Sequence, residues 1–102
     1  MSYKEFLEYI ENNLEGYKVF IQKAIEFQAV KNTKRQPNKR WNDKKLQSAA
    51  HEMWKQSMLP LYNNLKKEVK SSLPHNWVSY IETHEIFESV NEGISDLNFG
   101  ED

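Results

Sequence analysis

Cysteine is absent from this chain of 102 residues, and glycine and proline are scarce, with three of each. The absence of cysteine excludes disulfide scaffolds, thiolate zinc sites and cysteine nucleophiles. The glycines are isolated from one another, so the chain has neither a glycine-rich phosphate loop nor a Gly-x-Ser-x-Gly nucleophile turn. Because these signatures of catalysis are missing, we expect a protein that is not an enzyme and that holds no cofactor.

Long apolar runs are missing as well. No stretch approaches the roughly 18 consecutive apolar residues that a membrane-spanning helix needs. Residues 1–14 are polar and acidic, whereas a signal peptide would be basic and then apolar. We therefore predict a cytoplasmic protein with no membrane partner. Its length suits one domain, because a single core usually takes about 50 to 200 residues.

Aromatic residues are plentiful, at 13% of the chain, while the formal net charge is only −1. Disordered chains combine few aromatics with a high net charge, so a packed core is expected here. Apolar residues recur at spacings of three and four, which is the periodicity of a helix and not of a strand. The sequence predicts an all-α fold, a small helical bundle of about four to five segments over residues 1–97, followed by a frayed acidic tail over residues 98–102.

Gly16 is the first expected interruption of the helical pattern. An unbroken helix over residues 3–31 would be about 43 Å long, which is far longer than a compact domain of this size allows. Glycine is costly inside a helix and suits a helix C-terminus. We therefore predict a break or a sharp kink near Gly16.

Pro60 is the second expected interruption, because proline removes a backbone hydrogen bond and clashes with the preceding turn. Two helical segments, over about 43–58 and 61–72, are predicted to meet there at a kink. We expect a monomer. A homodimer is the alternative if an apolar stripe runs unbroken past Gly16 or Pro60 and leaves a face for a second chain to cover.

Charge is distributed unevenly along the chain. Residues 31–45 hold seven basic residues and one acidic residue, whereas residues 75–102 hold seven acidic residues and no lysine or arginine. The basic stretch overlaps the predicted linker, residues 32–40. The acidic stretch overlaps a last helix that is expected to begin near Pro74 and to reach or pass Gly93. These two stretches are the candidate binding surfaces.

Glu85, Glu88 and Glu92 are spaced three and four residues apart, which would place them in a negative ridge on one helix. Such a ridge could occupy the basic groove of a partner protein, or it could be the solvated face opposite a core stripe. Our leading hypothesis is a non-catalytic helical protein-interaction module. It would be a regulator, adaptor, inhibitor or immunity-type protein that uses this acidic ridge and, as a second surface, the basic loop.

The basic loop carries Lys34, Arg35, Lys39 and Arg40 directly before Trp41. A polar stretch of this kind is expected to be a flexible loop, so its cations could reach phosphates and the indole could stack on an unpaired base. The alternative function is therefore a nucleic-acid-binding accessory protein that uses these five residues. There are three other interpretations of this loop. It could be solvated only, it could pair with the chain's own acidic helix, or it could bind an acidic protein partner.

Histidine and carboxylate pairs are too sparse to predict a metal site. The helical zinc motif needs a second histidine four residues after the first, but Lys55 follows His51 and Glu88 follows His84 at that spacing. His51, His84 and Glu88 could meet only from facing helices. The apolar cluster of Met53, Trp54, Met58 and Tyr62 is expected to be core and not a ligand pocket.

Overall fold

A computed structural model describes residues 1–99, and the last three residues of the predicted tail, 100–102, lie outside the described residues. The described chain forms five α-helices and one short 3-10 turn, with no strand. None of these helices is both long enough and apolar enough to cross a membrane. The prediction of a small all-α bundle is confirmed. The elements are α1 (Tyr3–Asn13), α2 (Gly16–Thr33), the 3-10 turn (Pro37–Lys39), α3 (Asp43–Val69), α4 (Pro74–Thr83) and α5 (Ile86–Ser95).

An antiparallel hairpin of α2 and α3 is the framework of the bundle. The helices α1 and α4 pack on α3, and α5 packs on α4 and on α2. At 1.5 Å per residue the 27 residues of α3 span about 40 Å. The molecule is accordingly elongated, with extents of 49 × 24 × 20 Å and a radius of gyration of 15.7 Å instead of the roughly 13 Å of a compact domain.

One hydrophobic cluster joins residues of all five helices. Its centre is aromatic, because the Tyr62 ring lies 5.5 Å from the ring of Phe6 and 5.2 Å from that of Trp77. Trp54, Met58 and Tyr62 are buried, so the interpretation of this stripe as core is confirmed. The largest fully buried side chains are Trp54, Trp77, Phe6, Phe20, Ile10 and Ile81.

The predicted break near Gly16 is present, but glycine has a different role there from the expected one. Helix α1 ends at Asn13, and Gly16 is the first residue of α2, with no positive φ. Its N–H donates a hydrogen bond of 2.8 Å to Oδ1 of Asn91 on α5. A Cβ atom at Gly16 would lie 2.4 Å from that oxygen and 3.0 Å from a methyl carbon of Ile94. Glycine is needed here for the close approach of α5.

Alanine at the two helical glycines is expected to have opposite effects on stability. Gly16→Ala should lower the free energy of unfolding by about 1 to 2 kcal/mol, because Asn91 must move and its hydrogen bond is lost. Gly93→Ala should raise it by about 0.5 to 1 kcal/mol, because a Cβ there meets no atom within 4 Å and alanine favours the helix. Urea unfolding followed by circular dichroism measures both. Equal effects of the two changes would contradict this assignment.

Helix α3 runs on across Pro60 in the same direction, as the phase of the apolar stripe indicates, but as one helix and not as the two predicted segments 43–58 and 61–72. Pro60 and Gln56 are both exposed, so the carbonyl that proline leaves unpaired is on the solvent side of the helix. The helix ends at Val69, and Lys70 follows with a left-handed φ of 53°. Helices α1, α2 and α4 of the same chain cover the apolar stripe, so an unbroken α3 does not require a second chain.

The predicted single last helix is two helices, α4 and α5, separated at His84 and Glu85. Glu85 adopts a left-handed conformation, with φ at 52°, although no glycine or proline marks this position. The break turns α5 back onto the bundle, where Ile94 is buried and the Phe87 ring lies 5.7 Å from that of Tyr9. The apolar periodicity continues through the break, so the sequence pattern predicted one helix.

The C-terminal end of α5 is fixed by α2. The ammonium group of Lys23 donates hydrogen bonds to the carbonyl groups of three residues at this end, Ile94, Ser95 and Leu97, at 2.9, 3.0 and 3.0 Å. A cation at this position also complements the negative end of the helix dipole. The Phe99 ring then packs 5.2 Å from that of Phe20 and 5.8 Å from that of Phe27. The fraying of residues 98–102 stays a prediction, because residues 100–102 lie outside the described part of the chain.

Candidate functional site

The basic segment, residues 31–45, lies where α2 turns into α3, and we call it the basic tip. The Asn32 side chain ties the two ends of the loop together, because its Oδ1 accepts the Trp41 N–H at 2.9 Å and its Nδ2 donates to the Trp41 carbonyl at 3.0 Å. The Arg40 guanidinium donates to the carbonyl groups of Thr33 at 3.2 Å and Arg35 at 3.3 Å. The part outside α2 and α3 is residues 34–42, which includes the 3-10 turn, because residues 32 and 33 of the predicted linker belong to α2. The loop is held by hydrogen bonds, whereas a flexible linker was predicted.

The indole ring of Trp41 is half-buried, and two cationic side chains lie against it. The guanidinium carbon of Arg35 lies 3.9 Å from the ring centroid, and the ammonium nitrogen of Lys45 lies 4.9 Å from it. Asn32 also accepts a hydrogen bond of 3.1 Å from Arg35. Cation–π attraction and this hydrogen bond orient the guanidinium. Trp41 is therefore a platform for Arg35, and the predicted stacking on an unpaired base would have to displace that cation.

The charge of the basic tip is not neutralised within residues 1–99. The two ion pairs of this part of the chain, His51 with Glu11 at 3.4 Å and Lys55 with Glu52 at 3.0 Å, both lie outside the tip. The interpretation that the loop pairs with the chain's own acidic helix therefore has no support in the described contacts. Six cations of the tip are exposed and the seventh, Arg35, is half-buried. The exposed ones are Lys31, Lys34, Lys39, Arg40, Lys44 and Lys45.

The predicted acidic ridge is divided by the break between α4 and α5. Glu88 and Glu92 lie one turn apart on α5, whereas Glu85 precedes the helix in its left-handed conformation. All three side chains are exposed. The three carboxylates therefore do not share one helix face, and Glu88 with Glu92 is the part of the ridge that the fold retains.

The candidate metal ligands do not come together. Among residues 1–99 there is no group of three histidine, aspartate or glutamate side chains that could hold a metal ion. His51 pairs with Glu11, whose Oε2 also accepts the indole N–H of Trp54 at 3.2 Å. The His84 ring lies 4.0 Å from that of Tyr80. His51 thus has a carboxylate neighbour and His84 an aromatic one.

Glu11 also acts on nearby phenols. Burial, and then the negative charge of Glu11, raises the pKa of Tyr3 and of Tyr17 above the ordinary tyrosine value. The Tyr3 hydroxyl donates to the backbone carbonyl of Lys55, which ties α1 to α3. This hydrogen bond belongs to the packing of α1 against α3, as does the contact of Glu11 with Trp54.

Three residues that organise the site and the fold were not found by sequence reasoning: Asn32, Lys23 and Asn91. Each is a polar residue that reaches a backbone group far along the chain, so no local pattern indicates it. Asn32 bonds to Trp41 nine residues later, and Lys23 and Asn91 join α2 to α5. An asparagine in the last turn of a helix before a long loop is the only sequence signal that could have indicated the first.

Comparison of the chain with protein-family models, with curated proteins and with solved structures finds no match. No residue role is therefore carried over from a relative. The function is inferred below from the contacts and charges of the chain's own residues.

Proposed function

We propose that this chain is a non-catalytic helical interaction module, a cytoplasmic regulator or adaptor, that binds another macromolecule through its charged surfaces. The basic tip is the principal surface. The observation that carries the proposal is a set of seven cations in the basic tip, whose loop is braced by Asn32, with no carboxylate of residues 1–99 within ion-pair distance. Unpaired charge of one sign on an ordered surface raises the rate and specificity of encounter with a partner of opposite charge.

The acidic residues Glu88 and Glu92 of α5 are the second surface of the proposal. Their helix is fixed to α2 through Asn91 and Lys23, so the two carboxylates are presented from an ordered element. They would meet a basic patch on a partner protein. Glu85 is left in the candidate set, although its position outside the helix separates it from the other two.

The proposal is tested by matched charge changes at the two ends of α3. In the tip variant, Lys34, Lys39 and Lys44 are replaced by Gln; in the control, Lys66, Lys67 and Lys70 are replaced by Gln. All six side chains are exposed, and each variant removes the same charge. None of the six side chains makes an ion pair with a carboxylate in the described residues, so both variants should fold.

Wild-type protein and the control, immobilised in low salt, should retain the same macromolecules from an extract of the native host, identified by mass spectrometry and nucleic-acid staining. The tip variant should lose them. A variant with both Glu88→Gln and Glu92→Gln tests in the same way whether the acidic surface is needed for retention. Identical retention by wild type, tip variant and control would remove the basic tip from the proposal.

A further inference from the structure

The basic tip lacks the apolar anchor that protein interfaces normally have. The large hydrophobic side chains that are exposed in residues 1–99, Val19, Val30, Leu59 and Leu73, all lie outside residues 31–45. The one aromatic residue of the tip, Trp41, is half-buried beneath Arg35. Protein interfaces concentrate binding energy in buried aromatic and apolar anchors and are depleted in lysine, whereas phosphate contacts need only cations and polar groups. The composition of the tip therefore favours phosphate.

We propose that the partner of the basic tip is double-stranded DNA, bound through its phosphate backbone without regard to sequence. This inference rests on the proposed function, since it names the partner class of the same surface. Arg35 is the oriented group of the site. One of its terminal nitrogens is bonded to Asn32 and its guanidinium carbon lies 3.9 Å from the centroid of the Trp41 ring, which leaves further N–H donors for phosphate oxygens.

The state of Trp41 favours a duplex over a single strand. Proteins that bind single strands place successive bases on free aromatic rings. Here the ring is already occupied by Arg35, with its centroid 3.9 Å from the guanidinium carbon, and Lys45 lies 4.9 Å from the same centroid. No second aromatic residue lies in residues 31–45. The tip therefore offers cations for phosphates and no platform for bases.

The shape of the tip favours B-form DNA over double-stranded RNA. Nine residues, 34–42, join α2 to α3, and the middle of this loop is the single turn Pro37–Lys39. The major groove of B-form DNA is about 12 Å wide and admits an α-helix or a two-stranded ribbon, so it has room for a loop of this kind. The A-form groove of RNA is too narrow for side chains to enter.

Glu88 and Glu92, the carboxylates of the second proposed surface, lie far from the tip. Asn91, which lies between Glu88 and Glu92 on α5, is bonded to Gly16 at the start of α2. Lys31 is 15 residues further along that helix, which corresponds to about 22 Å at 1.5 Å per residue. This exceeds two Debye lengths at physiological salt, each of about 8 Å. Repulsion between DNA and Glu88 or Glu92 is therefore largely screened at physiological salt.

The test is fluorescence anisotropy of a labelled 20-base-pair DNA duplex of mixed sequence, titrated with the full chain. We expect a Kd of about 10 µM or tighter at 50 mM salt. With about five phosphate contacts, binding should weaken about 20-fold when the salt is doubled to 100 mM. The tip variant at Lys34, Lys39 and Lys44 should bind at least about tenfold more weakly at 50 mM salt, and doubling the salt should weaken it only about three- to fourfold.

The control variant at Lys66, Lys67 and Lys70 should bind the duplex within about twofold of wild type, because these residues lie at the far end of α3. Circular dichroism confirms that both variants are folded. A Kd weaker than about 100 µM at 50 mM salt, or an equal loss in both variants, would overturn the inference. Tighter binding of the labelled single strand, or of an RNA duplex of the same length, would also overturn it.

Poly-glutamate is used both as a competitor and as a labelled ligand, and it distinguishes failure of this inference from failure of the proposed function. If poly-glutamate binds in a tip-dependent manner and duplex DNA does not, DNA is wrong as the partner and the interaction module stands. If neither polyanion binds and the tip variant retains the same material from the extract as wild type, the proposed function fails as well.

Discussion

Replacing Trp54 by Ala is expected to lower the free energy of unfolding by about 3 to 5 kcal/mol, the range for large-to-small changes in a packed core. The side chain is completely buried, and its ring lies 4.9 Å from that of Tyr17 and 5.1 Å from that of Phe20. The change also leaves Glu11 without the indole N–H that it accepts at 3.2 Å. Since small domains have a total stability of about 5 to 15 kcal/mol, this one residue accounts for a large share.

Urea unfolding followed by far-ultraviolet circular dichroism measures the effect. Trp54→Phe separates the contribution of the hydrogen bond from that of ring packing, because it keeps an aromatic ring in the core and removes the hydrogen bond to Glu11. We expect it to lower the free energy of unfolding by about 1 to 2 kcal/mol. Trp41→Ala is the matched control, since the same change at a half-buried position should cost less. A loss below about 1 kcal/mol for Trp54→Ala would contradict the placement of Trp54 at the centre of the bundle.

Asn32→Ala is expected to lower the free energy of unfolding by about 1 to 3 kcal/mol and to loosen the basic tip. The substitution removes both hydrogen bonds to the Trp41 backbone and the one that orients Arg35. Hydrogen exchange of the Trp41 amide should accelerate, because its acceptor is gone. Asn32→Asp keeps an acceptor oxygen and removes the donor, so it should have an intermediate effect.

The control for Asn32 is Asn64→Ala, the same chemical change at an exposed position of α3. It should alter stability by no more than about 0.5 kcal/mol, as surface substitutions usually do. Equal effects at the two positions, or unchanged exchange of the Trp41 amide in Asn32→Ala, would show that Asn32 does not hold the loop. The duplex affinity of Asn32→Ala should fall with the loss of order.

The helical class and the core were predictable because they depend on the spacing of apolar residues. Trp54, Met58 and Tyr62 share one face whatever their neighbours are, and that face is buried. The break near Gly16 was also predictable, since glycine weakens a helix wherever it lies. The structural reason for glycine at this position was not predictable, because the contact with Asn91 joins residues 75 positions apart.

The errors at Pro60 and Glu85 have a common physical origin. Pro60 faces solvent, where its missing hydrogen bond is inexpensive, and packing on both sides keeps α3 continuous. Glu85 takes a left-handed conformation that a local rule assigns to glycine, because burial of Ile94 and the contacts of α5 with α2 favour the turn. In both cases tertiary contacts outweigh a local preference of about 1 to 3 kcal/mol.

The positive charge of the candidate site was predictable from the sequence, but the fixed arrangement of its side chains was not. Composition identified Lys34, Arg35, Lys39 and Arg40 as a basic surface next to Trp41. The arrangement of Arg35 against the indole depends on Asn32, a residue that composition does not distinguish from any other asparagine. This arrangement changes the expected chemistry from stacking on bases to contact with phosphates.

The measurement that tests the central claim most directly is a nuclear magnetic resonance titration of the isotope-labelled chain with the 20-base-pair duplex. Binding through the basic tip predicts shift changes in the amides of residues 33–45 and in the Trp41 indole N–H, with the amides of α4 and α5 unchanged. Shift changes centred on α5 or on the far end of α3, or none at saturating duplex, would contradict it.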